Sequence, residues 1–297
     1  MSTFQVTDDV YGIDIEMFDA GVASVYLFDD DEPALVDAGT AASADTIKQG
    51  LADCGVEPAD LEHLVLSHIH TDHSGAAGDL VDAAPDLDVY IHEMTASHLV
   101  DPSGLVESSR RAMGEHFAAM GEQAPVPEAN VISVSDEGTT VDIGDNSLEM
   151  HYAPGHSPDH FAVWNPERDL LFAAEALGIY LSRADRWLAP STLPNFDPEG
   201  IATNIDRLRD LDPEHIVFPH FGAWPREPAA VFDLAERELE RFDERVLELH
   251  DETDSREATK RAVASELVDA SPPYDERVES FYASLITDGF LKAHGVE

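Results

Sequence analysis

An α/β fold is expected, built from sheets whose outer faces are covered by helices and followed by a helical extension. Three observations predict it. Short apolar or alternating runs lie at both ends of the first 225 residues, helical patterns lie between them, and helical spacing dominates from Pro228 onward.

Taken in order, residues 10–17, 24–29 and 34–36 read as short strands. They are separated by the turn-formers Asp19-Ala20-Gly21 and Asp29-Asp30-Asp31-Glu32-Pro33. Gly39-Thr40 opens a helix over 43–54, with Ala44, Ile47, Leu51 and Cys54 on one stripe. Leu64-Val65-Leu66 is a buried-type strand that runs into Ser67-His68-Ile69-His70-Thr71-Asp72-His73. A helix over 74–83, a strand over 88–92 and a helical stretch over 94–121 follow. Strands return at 131–134, 139–143, 148–153, 160–164 and 170–174. A Pro-rich loop over 190–198 leads to a helix over 199–211 and a strand over 216–218. Beyond Pro228, Val231, Leu234, Leu239, Phe242, Val246 and Leu249 recur at near-helical spacing. The expected division is residues 1–225 as one domain and 226–297 as the helical extension.

The 297 residues are 43% hydrophobic, enough for a sizeable core despite 61 acidic residues against 17 basic ones and a net charge of −44. That charge excludes the basic patch that nucleic-acid phosphates require and disfavours anionic membranes. It is dispersed along the chain, whose only lysines are Lys48, Lys260 and Lys292. Such a hydrated acidic surface suits a high-salt cytoplasm, where screening mutes self-repulsion. The single cysteine, Cys54, excludes an intrachain disulfide and a cysteine-based zinc cluster, and its place on an apolar helix face reads as core. No secretory signal and no run of 18 apolar residues is visible, so a soluble, cytoplasmic protein with a small-molecule substrate is expected.

The segment 68–73 places three imidazoles and a carboxylate within six residues, directly after an apolar strand. Nitrogen and carboxylate donors suit zinc, iron(II) or manganese(II). On a strand-to-helix loop, His68 and His70 can converge on one metal while Asp72 and His73 turn toward another. The bland alternative is a solvated polar loop. His156 and His220 each follow an apolar run, and strand ends are where a rigid scaffold presents ligands. No Gly-x-Ser-x-Gly elbow occurs.

With those residues in view, residues 10–225 resemble the metallo-β-lactamase-fold hydrolase superfamily, in particular its hydroxyacylglutathione hydrolase (glyoxalase II-like) branch. Five elements occur in that family's order: Asp37-Ala38-Gly39, the His-x-His-x-Asp-His loop at 68–73, Pro154-Gly155-His156, Glu175 and His220. The resemblance implies an αββα sandwich of two mixed sheets. It also implies two divalent metal ions, with zinc expected and iron or manganese as alternatives. By position, His68, His70 and His156 hold the first metal, Asp72, His73 and His220 the second, and Glu175 bridges them. The family usually has Asp at that bridge. The extra carbon of Glu175 lengthens its reach by roughly 1.5 Å, and the rival reading is that it misses the bridge and leaves the second metal weakly bound. Asp159 stands where glyoxalase-like members usually have Gly.

The implied reaction is hydrolysis of a small ester, thioester, lactone or related substrate by a hydroxide shared between the metals, with Asp72 or the bridging carboxylate moving the proton. A mononuclear iron persulfide dioxygenase and a non-catalytic metal-binding scaffold are the alternatives. Supporting positions are Asp37, which either orients a ligand histidine or is a plain turn residue, and His160, expected to hydrogen-bond rather than ligate. The loop carrying Tyr180, Asn195 and Phe196 either shapes the substrate pocket or packs as a cover. The stretch 94–121 is expected to roof the cleft. The helical tail is open to a homodimer interface, a pocket cover, or both.

Overall fold

The computed structural model describes residues 3–296. The chain divides into two compact units, Met1–Tyr152 with Asp159–Leu170, and Ala153–Pro158 with Leu171–Glu297.

In the first unit seven strands lie side by side in chain order: β1 (Thr3–Gln5), β2 (Val10–Asp14), β3 (Ser24–Phe28), β4 (Ala34–Val36), β5 (His63–Val65), β6 (Asp88–His92) and β7 (Val131–Val134). The first four pair antiparallel, and β4 through β7 pair parallel, with Val36 opposite Val65 and Val65 opposite Tyr90. Parallel neighbours need crossovers rather than tight turns. These are supplied by α1 (Ala44–Asp53), by α2 (Ala77–Ala83), and by α3 (Ala96–Val100) with α4 (Ser103–Met113). Every residue of β3 and β4 is buried, which is why both read as apolar runs without alternation. Strand β1 was not foreseen. Three residues carry too little pattern, and β1 is held by its pairing with β2 and by the edge-on contact of Phe4 with Tyr26.

The stretch 94–121 is helical as read, but broken. Pro102 precedes α4, and Gly114 at φ 53° ends it before a 3-10 segment over Gly114–Ala119. The unit also holds β8 (Thr139–Asp142), β9 (Ser147–Tyr152) and β10 (Phe161–Asn165), antiparallel, with Met150 opposite both Thr139 and Val163.

In the second unit, β11 (Leu170–Phe172) begins at the unit boundary. It is followed by the hairpin β12 (Ile179–Leu181) and β13 (Arg186–Leu188), then α5 (Pro198–Arg209), β14 (His215–Phe218) and β15 (Gly222–Ala223). The hairpin falls where the sequence reads as loop. Its strands are three residues long, and tertiary contacts hold them. The Trp187 indole donates to Leu177 O at 2.7 Å, and its ring lies edge-on to Phe242. The expected helical region is α6 (Ala229–Glu252), α7 (Arg256–Val263) and α8 (Glu276–Ala293). It belongs to the same compact unit as the strands after Leu171. Among the described residues no helix is long and apolar enough to cross a membrane.

Candidate metal centre

In the first unit the chain leaves β5 and stays irregular until α2 opens at Ala77, three residues later than expected. The loop is irregular because its polar groups are spent on fixing side chains. Asp37, just past β4, is 1% exposed and adopts φ 63°, a left-handed conformation that costs an Asp roughly 1–2 kcal/mol. Its Oδ1 accepts Ser67 N at 2.8 Å, while Oδ2 accepts His73 Nδ1 at 2.7 Å and Ser67 Oγ at 3.1 Å. Asp37 therefore orients a histidine rather than merely closing a turn.

The ring of His68 is held by Ser67 Oγ, 3.0 Å from Nδ1, which turns its Nε2 to within 2.8 Å of His70 Nδ1. His73 Nε2 faces Asp72 Oδ2 at 3.8 Å, and the His68 and His73 rings are 4.2 Å apart. His68 and His73 are buried and Asp72 is partly exposed. All four donors of the 68–73 segment thus come together. His160, fully buried, lies with its ring 5.2 Å from that of His68.

One support was missed. Asp159 Oδ2 accepts both Ile69 N, at 2.9 Å, and Thr95 Oγ1, at 2.8 Å, so it pins the backbone between His68 and His70. The turn it occupies gave no hint of a partner 90 residues earlier. Helix α4 adjoins the same loop through Thr71 Oγ1, which donates to Ser109 Oγ.

In the second unit His156 sits on the Pro154-Gly155-His156 turn. Gly155 has φ 144°, and a Cβ there would stand 2.6 Å from Ile201 N of α5, so only glycine lets the turn seat against that helix. His156 Nδ1 donates to Pro190 O at 2.8 Å, and its Nε2 is 2.9 Å from Glu175 Oε2. Glu175 follows β11 and Ala174, itself at φ 44°. Its other oxygen, Oε1, is 3.7 Å from His220 Nε2. The longer side chain therefore reaches both imidazoles. His220 follows β14, and its Nδ1 is 3.1 Å from the hydroxyl of Tyr282 in α8.

The residues read as a substrate loop are placed differently from one another. The Tyr180 ring is buried against Phe218 and Trp224, and its hydroxyl donates to Asp185 at 3.0 Å. Burial, with that hydrogen bond second, pushes the Tyr180 phenol up to about 12. Its backbone N–H donates to His220 O, and its carbonyl accepts Phe221 N. Phe196 packs edge-on against Phe290 of α8, and Asn195 is exposed. Cys54 caps α1, half-buried rather than in the core, and burial pushes its thiol up, away from nucleophilic use.

The sequence model of the metallo-beta-lactamase superfamily matches residues 18–220. The chain is 26% identical over 290 residues to the probable metallo-hydrolase YqjP of Bacillus subtilis (strain 168), covering 89% of this chain and 86% of that one. It is also 26% identical over 166 residues to the metallo-beta-lactamase fold-containing protein ST1585 of Sulfurisphaera tokodaii, covering 54% of this chain and only 61% of that protein's length. Among solved structures, the metallo-beta-lactamase family protein TTHA1429 from Thermus thermophilus superposes with a TM-score of 0.67 at 20% identity, over 98% of this chain and 95% of that one. That likeness shows the fold, mixed sheets flanked by helices.

Proposed function

We propose a function on the premise that the chain belongs to the metallo-β-lactamase superfamily: a metal-dependent hydrolase of small esters, thioesters, lactones or related acyl compounds. In this reading His68, His70 and His156 hold one divalent cation, Asp72, His73 and His220 a second, and Glu175 reaches both. Zinc is the expected metal, because imidazole and carboxylate donors suit it, as they do iron and manganese.

One observation carries the reading. Four of the five histidines have a ring nitrogen engaged by a protein acceptor: Ser67 for His68, Asp37 for His73, Pro190 for His156 and Tyr282 for His220. In each case Nε2 is left as the ligating nitrogen. Metal-binding imidazoles need such partners to fix tautomer and ring angle, whereas chance histidines on a polar loop do not.

Two bound cations supply Lewis acidity and bring the pKa of water toward neutrality. The chain's part is to place the donors and move protons. Asp72 is the partly exposed carboxylate of the set, its side chain 13% accessible, so it can take the proton of an entering water and return it to the leaving group. Glu175, 4% exposed, stays a holding group. The acyl substrate class rests on the glyoxalase II-like order of the motifs. The complete Asp72, His73 and His220 set favours the dinuclear hydrolase over a single-iron dioxygenase.

The test is metal quantification on natively purified protein, followed by thioesters, lactones, phosphoesters and β-lactams assayed in high salt. Two ions per chain and acyl hydrolysis that falls by several orders of magnitude in Asp72→Ala are expected. Zinc- or manganese-loaded protein that never exceeds one ion per chain overturns the dinuclear reading, and persulfide-dependent oxygen uptake would replace it with the redox one.

A further inference from the structure

Helix α8 is capped by Asp275, whose carboxylate accepts Arg277 N, and presents Val278, Phe281, Tyr282, Ile286, Gly289 and Phe290 as one buried stripe. Most of that stripe is apolar packing, but Tyr282 adds a hydroxyl. The residue is 2% exposed, and its oxygen lies 3.1 Å from His220 Nδ1, 62 positions away in the chain. A buried phenol of this kind needs a polar partner, and this one has chosen a candidate ligand.

The main chain of His220 is gripped independently by β12, through Tyr180 N and the Phe221 N–H bond to Tyr180 O. The backbone contacts place the residue, and Tyr282 acts on the ring. With Nε2 facing Glu175 Oε1, ligation through Nε2 requires the proton on Nδ1, so Nδ1–H donates to the Tyr282 oxygen. The same helix also bears on His156. Gly289 packs so closely that a Cβ would be 2.8 Å from Thr192 O and closer still to Ser191 Oγ, and the preceding Pro190 carbonyl accepts His156 Nδ1.

We propose that α8, which lies wholly outside the residues matched by the superfamily model, is a working part of the metal centre, and that Tyr282 is the positioning residue that sets the tautomer and ring angle of His220 for the second ion. The inference rests on the metal reading above and deepens it. It assigns α8 a role in metal affinity rather than in folding alone.

The experiment compares wild type, Tyr282→Phe and His220→Ala by chelator competition with zinc and by the visible spectrum of cobalt-loaded protein. Phe keeps the ring and its packing, so a purely structural role predicts wild-type behaviour. The positioning role predicts about a tenfold loss of affinity for the second ion in Tyr282→Phe, a shifted cobalt spectrum and an unchanged first ion, with only the modest drop in the chelated protein's melting temperature that one lost buried hydrogen bond brings. If His220→Ala loses the second ion while Tyr282→Phe binds both ions within twofold of wild type, Tyr282 has no such role and the metal reading stands. If His220→Ala also keeps two ions at wild-type affinity, the metal reading itself fails.

Discussion

Asp37 and His73 form a buried pair, Oδ2 to Nδ1 at 2.7 Å, each side chain 1% exposed. The carboxylate is shared with Ser67 N and Oγ, so one side chain sets both the start and the end of the histidine loop.

Asp37→Ala removes the acceptor for His73 Nδ1 and leaves the buried Ser67 N–H unsatisfied. The expected outcome is a 10- to 100-fold loss of affinity for the ion assigned to His73 in the proposed centre, with about 1–3 kcal/mol of stability lost. Metal competition and denaturant unfolding of the chelated protein measure the two effects separately. Wild-type affinity in this variant would reduce Asp37 to a turn residue.

Glu175→Asp tests the reach of the side chain. The substitution installs the residue the family usually carries but withdraws the carboxylate by roughly 1.5 Å from His156 and His220, which it contacts at 2.9 and 3.7 Å. Weaker binding of both ions is expected, read as lower occupancy at limiting zinc. An Asp variant indistinguishable from wild type would mean that the backbone after β11 adjusts freely, against the seating of Ala174 in the left-handed region.

Asp159 predicts a conservative rescue. Oδ2 accepts from both Ile69 N and Thr95 Oγ1, and an amide oxygen can serve the same two donors. Asp159→Asn should therefore keep most of the metal affinity. Asp159→Ala should lose stability by about 1–3 kcal/mol and loosen binding at His68 and His70. Equal behaviour of the two variants in thermal melts and metal titration would contradict the assignment.

Salt should stabilise the fold. At a net charge of −44, carboxylates repel one another more in the folded chain than in the expanded one. Screening shortens from about 10 Å at 0.1 M salt to about 3 Å at 1 M. The melting temperature of the chelated protein should climb steeply across that range of KCl, and zinc should partly replace salt at the low end by binding the native state. A flat melt series would make the acidic surface incidental.

The order of strands and helices, the 68–73 loop, and the later histidines were readable in the chain itself. Apolar runs must be buried, and imidazole and carboxylate groups gathered directly after an apolar run stand out from an ordinary polar loop. Asp37 was half-readable, as a turn residue with a second possible use. What the chain alone left open was decided by contacts between residues far apart in it. The hairpin β12–β13 has strands of three residues, too short to show a pattern, and is held by the burial of Trp187 and Tyr180. Asp159 pins its loop through a partner 90 positions away, and the role proposed for Tyr282 depends on one 62 positions away. A hydrogen bond leaves no periodicity in a sequence, because its geometry depends on where two elements are brought together in space. Glu175 shows the same division: the chain supplied a carboxylate one methylene too long, and the placement of β11 and β14 decided that this length spans the distance between two imidazoles.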